Sequence, residues 1–103
     1  MIQRRTDHIV PDDRSLRVKI VRRLARKKVV GSHKKRVDTV QNWFAASDQG
    51  RVESLIRELI RDPDAPLEGY GGSRDNVRLT SIEAAKTYIE ANGGELPWGL
   101  RDD

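Results

Sequence analysis

Apolar residues recur at helical spacing in four stretches of the chain and alternate with polar ones in a fifth. In the first stretch Leu16, Ile20, Val21 and Leu24 form one stripe, with Ala25 beside it, and predict a helix over about 13–28. Asp12 or Asp13 is the expected N-cap, because a carboxylate there accepts the first unsatisfied backbone N–H groups. Val29 and Val30 are too few for an independent strand and are expected to pair with the edge of a later hairpin. Val37, Val40 and Phe44 repeat at i, i+3 and i+7, with Trp43 adjoining, and predict a second helix over about 33–46 capped by Ser32. A later start near Asp38 would instead leave His33, Lys34, Lys35 and Arg36 in a loop. Residues 47–50, Ser-Asp-Gln-Gly, have the composition of a turn.

The clearest amphipathic pattern follows. Val52, Leu55, Ile56, Leu59 and Ile60 share one face of a helix expected over 49–61, with Arg51, Ser54, Arg57 or Glu58, and Arg61 on the other. Glu53 stands three residues after Gly50, where a capping-box glutamate would. Asp62 precedes Pro63 and so avoids the α region, which ends the helix. Residues 67–70 and 76–79 are expected strands around a glycine-rich loop at 71–75, with Val77 and Leu79 on a buried face and Arg78 between them. Thr80, Ser81, Ile82 and Glu83 read as a capping box opening a last helix, with Ile82, Ala85, Ile89 and Tyr88 on its apolar side. Asn92, Gly93 and Gly94 are expected to close it with a left-handed cap.

The predicted class is mainly α with a small β-hairpin, α+β in type. A basic arm over 1–11 precedes a domain over 12–94, and a tail over 95–103 carries Trp98 and Leu100, which either fold back or form a homodimer contact. The order helix, short strand, helix, turn, amphipathic helix, hairpin, helix resembles the winged helix-turn-helix family. The turn at 47–50, the run VESLIRELI, the hairpin LEGYGGSRDNVRLT and the junction VRLTSIEAA carry the resemblance, which covers about 13–92. It implies a small DNA-binding protein, a transcriptional regulator that reads the major groove of double-stranded DNA with helix 49–61. Gln49, Arg51 and Ser54 would then face base edges, while Arg57 and Arg61 would touch phosphate or remain solvated. Arg74, with Ser73 and Asn76 near the wing tip, would reach the flanking backbone or minor groove, and Lys34, Lys35 and Arg36 would contact phosphates.

Charge changes this picture. The net +4 divides into +10 through Arg36 and −6 beyond it. Such an asymmetry suggests a polyanionic partner for the basic part, although a solvated surface is its ordinary alternative. The helix expected to read bases carries Glu53 and Glu58 and is nearly balanced, whereas the first helix and His33–Arg36 run hold the densest positive charge. An RNA-binding module using the first helix, and a protein-interaction adaptor, are therefore the alternatives to DNA binding. Four basic groups in the first turn of a second helix would also oppose its dipole, each by about 0.3–1 kcal/mol when exposed.

The remaining chemistry is sparse. With no cysteine there is no disulfide, and the expected location is the cytoplasm. The chain holds no apolar run of the roughly 18 residues a membrane span needs, and its first residues lack the apolar core of a secretory signal. Two histidines far apart offer no metal spacing. Nothing resembles a Ser-His-Asp set, an activated carboxylate pair or a phosphate loop, so no enzyme activity and no cofactor are expected. The run from Gly69 to Gly72 lacks the Lys-Ser/Thr of a phosphate loop and reads as turn chemistry.

Overall fold

Residues 13–70 and 73–96 are described by the structure, a computed structural model, with the side chains of Tyr70, Ser73 and Arg74 outside that description. The expected arm over 1–11, the cap at Asp12 and the dimer contact through Trp98 and Leu100 all lie outside the described residues. The elements run α1 (Asp13–Arg26), β1 (Lys35–Arg36), α2 (Val37–Gln41), a 3-10 turn (Ala46–Asp48), α3 (Gln49–Arg61), β2 (Leu67–Tyr70), β3 (Ser73–Leu79) and α4 (Ile82–Ala91). The protein is thus mainly helical with one small antiparallel sheet, as the hydrophobic pattern predicts.

The apolar stripe of α1 is buried as its spacing requires: Leu16, Ile20, Val21, Leu24 and Ala25 all lie in the core, joined by Val18. The helix ends two residues earlier than expected, because Lys28 takes a positive φ and turns the chain. Val29 and Val30 then meet the hairpin. The backbone N–H of Leu79 donates to the Val29 carbonyl at 2.8 Å, and Val30 bridges Leu79 in parallel.

The largest departure follows. Lys35 and Arg36 are not the first turn of a helix. They form the short strand β1, antiparallel to β3, with Lys35 opposite Val77 and Arg36 opposite Asn76. The helix expected over 33–46 shrinks to the five residues of α2, and its start falls near Asp38, the later of the two positions considered. Two causes act together. β3 offers Lys35 and Arg36 backbone partners that they would lack at a helix start, and an acid in the first turn of α2 suits the helix dipole. Trp43 and Phe44 consequently lie in a turn, their N–H groups donating to Val40 and Gln41 carbonyls at 3.0 and 3.1 Å. Ala45, at ψ 146°, prevents the helix from continuing.

Helix α3 has the expected bounds, and Val52, Leu55, Ile56 and Leu59 are buried. The expected turn at 47–50 is displaced, since Gln49 and Gly50 are already helical and the connection is residues 42–48. No capping box forms: Asp48 is the N-cap without a side-chain bond, and Glu53 turns to Arg57 instead. Asp62 is extended before Pro63, as expected.

The sheet order is β1-β3-β2. Leu67 faces Leu79, Glu68 faces Arg78 and Gly69 faces Val77, with a register shift between Gly69 and Tyr70. β3 starts three residues before the expected Asn76, so Asp75 belongs to a strand rather than a loop. Val77 and Leu79 are fully buried, and Arg78 between them pairs outward with Glu68 at 2.7 Å. The cap of α4 is Ser81 rather than Thr80: its Oγ accepts the Ala84 N–H at 3.0 Å. Thr80 is unavailable because its own N–H still bonds the Pro66 carbonyl across the sheet end at 2.8 Å. Gly93, at φ 79°, closes α4 as expected, and the N–H groups of Gly93 and Gly94 return to Glu90 and Ile89. Gly94 also lets α4 approach α1, for a Cβ there would lie 2.5 Å from Val18 Cγ1. α1, α3, α4 and the inward sheet residues close one hydrophobic core, with no buried polar side chain among the described residues.

Candidate nucleic-acid interface

Between Arg14 and Arg36 the sequence contains eleven Lys or Arg and no acid. With the α1 stripe buried, this charge must emerge on the opposite side. Ser15, Lys19, Arg22 and Arg26 follow one another at helical spacing along the outer ridge of α1. Lys19 and Arg26 are exposed, and no carboxylate among the described residues pairs with Lys19, Arg26, Lys27 or Lys28. Arg22 is half-buried and donates from Nε to the Glu95 carbonyl at 2.8 Å, which fixes its guanidinium beside the ridge. His33, Lys34 and Lys35 continue the exposed basic run into β1. Arg36 does so only in part, since Asp38 holds it at 3.2 Å.

Two cations at the C-terminal end of α1, Arg23 within it and Lys27 just after it, rest on aromatic rings. Lys27 Nζ stands 4.9 Å from the Trp43 ring centroid and Arg23 Cζ stands 5.6 Å from that of Phe44. Trp43 and Phe44 are half-buried and pack against the edge of the core. Their cation partners were not legible from spacing within either segment.

The expected contact set on α3 is dispersed by the fold. Gln49 is half-buried and its carboxamide donates to the Phe44 carbonyl at 3.1 Å, so it braces the preceding turn. Arg51 lies on the flank that meets α1, where its Nε donates to Asp13 at 2.7 Å. Farther along the same flank Arg17 of α1 pairs with Glu58 at 2.9 Å. Arg57 lies on the other flank, 3.2 Å from Glu53 and 3.6 Å from Asp75 on β3. Ser54 is exposed on the outward face, with Gly50 and Arg61. Arg74 falls in β3 rather than in a loop, and its side chain lies outside the described residues.

Arg36 and Arg57 do come together, in a cleft of about 240 Å³ lined also by Asp38, Gln41, Glu53 and Asp75. Three carboxylates against two guanidinium groups leave this cleft without the positive potential a phosphate needs. A second cleft of about 210 Å³ holds Arg17, Glu58, Leu59, Asp62 and Tyr88. Burial raises the Tyr88 phenol above its ordinary value, against the opposing effect of Arg17. Among the described residues, cations without a carboxylate partner therefore gather at Lys19, Arg26, Lys27 and Lys28, on α1 and the turn that follows it. The intramolecular partners of Gln49, Arg51 and Arg57 on α3 (Phe44, Asp13 and Glu53) were not part of the sequence expectation; that of Arg51 lies on α1, and pairing across two helices cannot be read from either one. No family model matches this sequence, and no curated protein or solved structure is significantly similar to it. No described helix is long and apolar enough to cross a membrane.

Proposed function

We propose that this protein is a small nucleic-acid-binding domain of winged-helix architecture, with DNA as its partner, and that it holds the phosphodiester backbone with the basic face of α1. One observation carries the reading: the outer ridge of α1 presents Lys19 and Arg26 with no carboxylate partner among the described residues, at the centre of an acid-free run of eleven cations. The architecture rests on the sheet order β1-β3-β2, in which the strand between the first two helices pairs with the hairpin that follows the third. Contact through helix 49–61 has less support, because Gln49, Arg51 and Arg57 are each engaged within the protein. The same placement of charge on α1 is what an RNA-binding module would use, so RNA is the second reading.

Fluorescence anisotropy with a labelled mixed-sequence duplex tests it at two salt concentrations. Backbone binding should weaken with salt by about 0.9 in log–log slope for each phosphate neutralised. The double substitution Lys19→Glu with Arg26→Glu should flatten that slope and abolish binding at physiological salt. Absence of duplex binding at low salt would overturn the DNA reading, and an RNA duplex in the same assay separates the second one.

A further inference from the structure

Trp43 and Phe44 form an aromatic pair at the edge of the basic face, on a turn that is held rather than loose. The N–H groups of both donate to α2 carbonyls, and the Gln49 carboxamide clasps the Phe44 carbonyl at 3.1 Å. Both side chains pack against the core and are only half-buried, and what stands over each ring is a flexible cation, Lys27 or Arg23. Those two cations flank the exposed Arg26, Arg23 three residues before it in the last turn of α1 and Lys27 immediately after it. Backbone cations beside aromatic rings are the two parts of a surface that binds a single strand: phosphates run along the charge, and bases stack on the rings without regard to sequence, because every base has a π-face. A duplex cannot use the rings, since its bases are already stacked on one another.

We infer that the α1 ridge and the Trp43–Phe44 turn together bind unpaired nucleobases of a single nucleic-acid strand, with a base stacking on Trp43 and the adjoining phosphates drawn to Arg23, Lys27 and Arg26. An arriving phosphate offers Lys27 a full negative charge in place of a ring quadrupole, so the ammonium leaves the ring and uncovers it for the base. This inference rests on the nucleic-acid reading above and names the form of nucleic acid that the same face takes.

The test uses the full chain carrying Trp98→Phe, which leaves Trp43 as its one tryptophan. A thymidine oligonucleotide of about 15 nucleotides and a blunt duplex of equal length are titrated while Trp43 emission is followed. The single strand should quench Trp43 saturably and bind about tenfold more tightly than the duplex, as one stacked base supplies. Trp43→Leu should remove that preference and leave duplex binding unchanged, whereas Trp43→Phe should keep most of it. A uridine oligoribonucleotide of the same length distinguishes the two sugar chemistries, and quenching by either strand sustains the inference. Equal binding of strand and duplex without quenching would overturn it while leaving the backbone reading intact. Failure of both probes to bind would overturn the backbone reading itself. The quenching measurement needs no change at Trp43, so it stands even if Trp43→Leu fails to fold.

Discussion

Lys28 closes α1 with φ 55°, a conformation that L side chains rarely adopt. The N–H groups of Lys28 and Val29 return to the Ala25 and Leu24 carbonyls at 3.0 and 3.1 Å, the paired bonds of a Schellman cap. Val29 and Leu24 are both buried and supply the hydrophobic contact that accompanies such a cap. Glycine is the usual residue at this position, because a Cβ in the left-handed region costs about 1 kcal/mol. Lys28→Gly should therefore raise the stability of the protein by somewhat less than this, since glycine also gains freedom in the unfolded chain. The readout is a higher midpoint in urea unfolding at unchanged slope, and a lower midpoint would show that the lysine backbone is not strained. The same substitution removes one cation from the basic face. Stability and nucleic-acid affinity should thus move in opposite directions, which is a physical reason for a lysine to stand where glycine would fold better.

At the scale of elements, the crossing of α1 over α3 decides which charges face out. Asp13 of α1 meets Arg51 of α3, and Arg17 of α1 meets Glu58 of α3, so each helix contributes one acid and one base. These pairs are about half exposed, and exposed ion pairs are worth at most about 1 kcal/mol. Their consequence is orientation more than stability. Arg51→Glu should destabilise the protein by about 0.5–1 kcal/mol through the new repulsion of Asp13, and Asp13→Arg in the same chain should restore most of that loss. A double-mutant cycle in urea measures it, and an Arg51→Glu variant of undiminished stability would show that the pair contributes nothing. Elements whose identity is local were legible beforehand. α3 could be bounded because its apolar stripe is unbroken and Pro63 ends it, and β2 because glycines follow it. β1 could not, because Lys35 and Arg36 are a strand only by virtue of β3, some forty residues later. The cap of α4 missed by one residue for a similar reason, Thr80 being tied to Pro66 by a sheet-end bond that its local sequence does not reveal. The candidate site was legible as charge and not as contacts: Arg51 and Asp13 are 38 residues apart, and only the helix crossing brings them together.

Over the whole molecule the fold turns a sequence asymmetry into a spatial one. Residues 13–36, with eleven Lys or Arg and one Asp, carry their positive charge on α1 and the run into β1, while Asp38, Glu53 and Asp75 gather in the cleft between α2, α3 and β3. A partner drawn by charge would approach α1 and be repelled weakly at that cleft, and the two faces make opposite predictions about the cleft carboxylates. If α3 and the hairpin enclosed the nucleic acid, three carboxylates beside the bound phosphates would each oppose binding, and neutralising them would tighten it many-fold. If α1 is the contact face, they act only at a distance, and at 0.15 M salt a screening length of about 8 Å removes most of their influence. Asp38→Asn, Glu53→Gln and Asp75→Asn combined should therefore change affinity by less than about threefold at that salt, and by more at about 0.01 M, where the screening length reaches about 30 Å. Because the variant adds three units of positive charge, its salt dependence should differ from that of the parent chain only through this long-range part. Lys19→Glu with Arg26→Glu, a change of four units on the contact face, should dominate at both salt concentrations. Tenfold tighter binding by the carboxylate variant at physiological salt would move the nucleic acid to α3 and the hairpin and would leave the α1 ridge as an ordinary solvated surface.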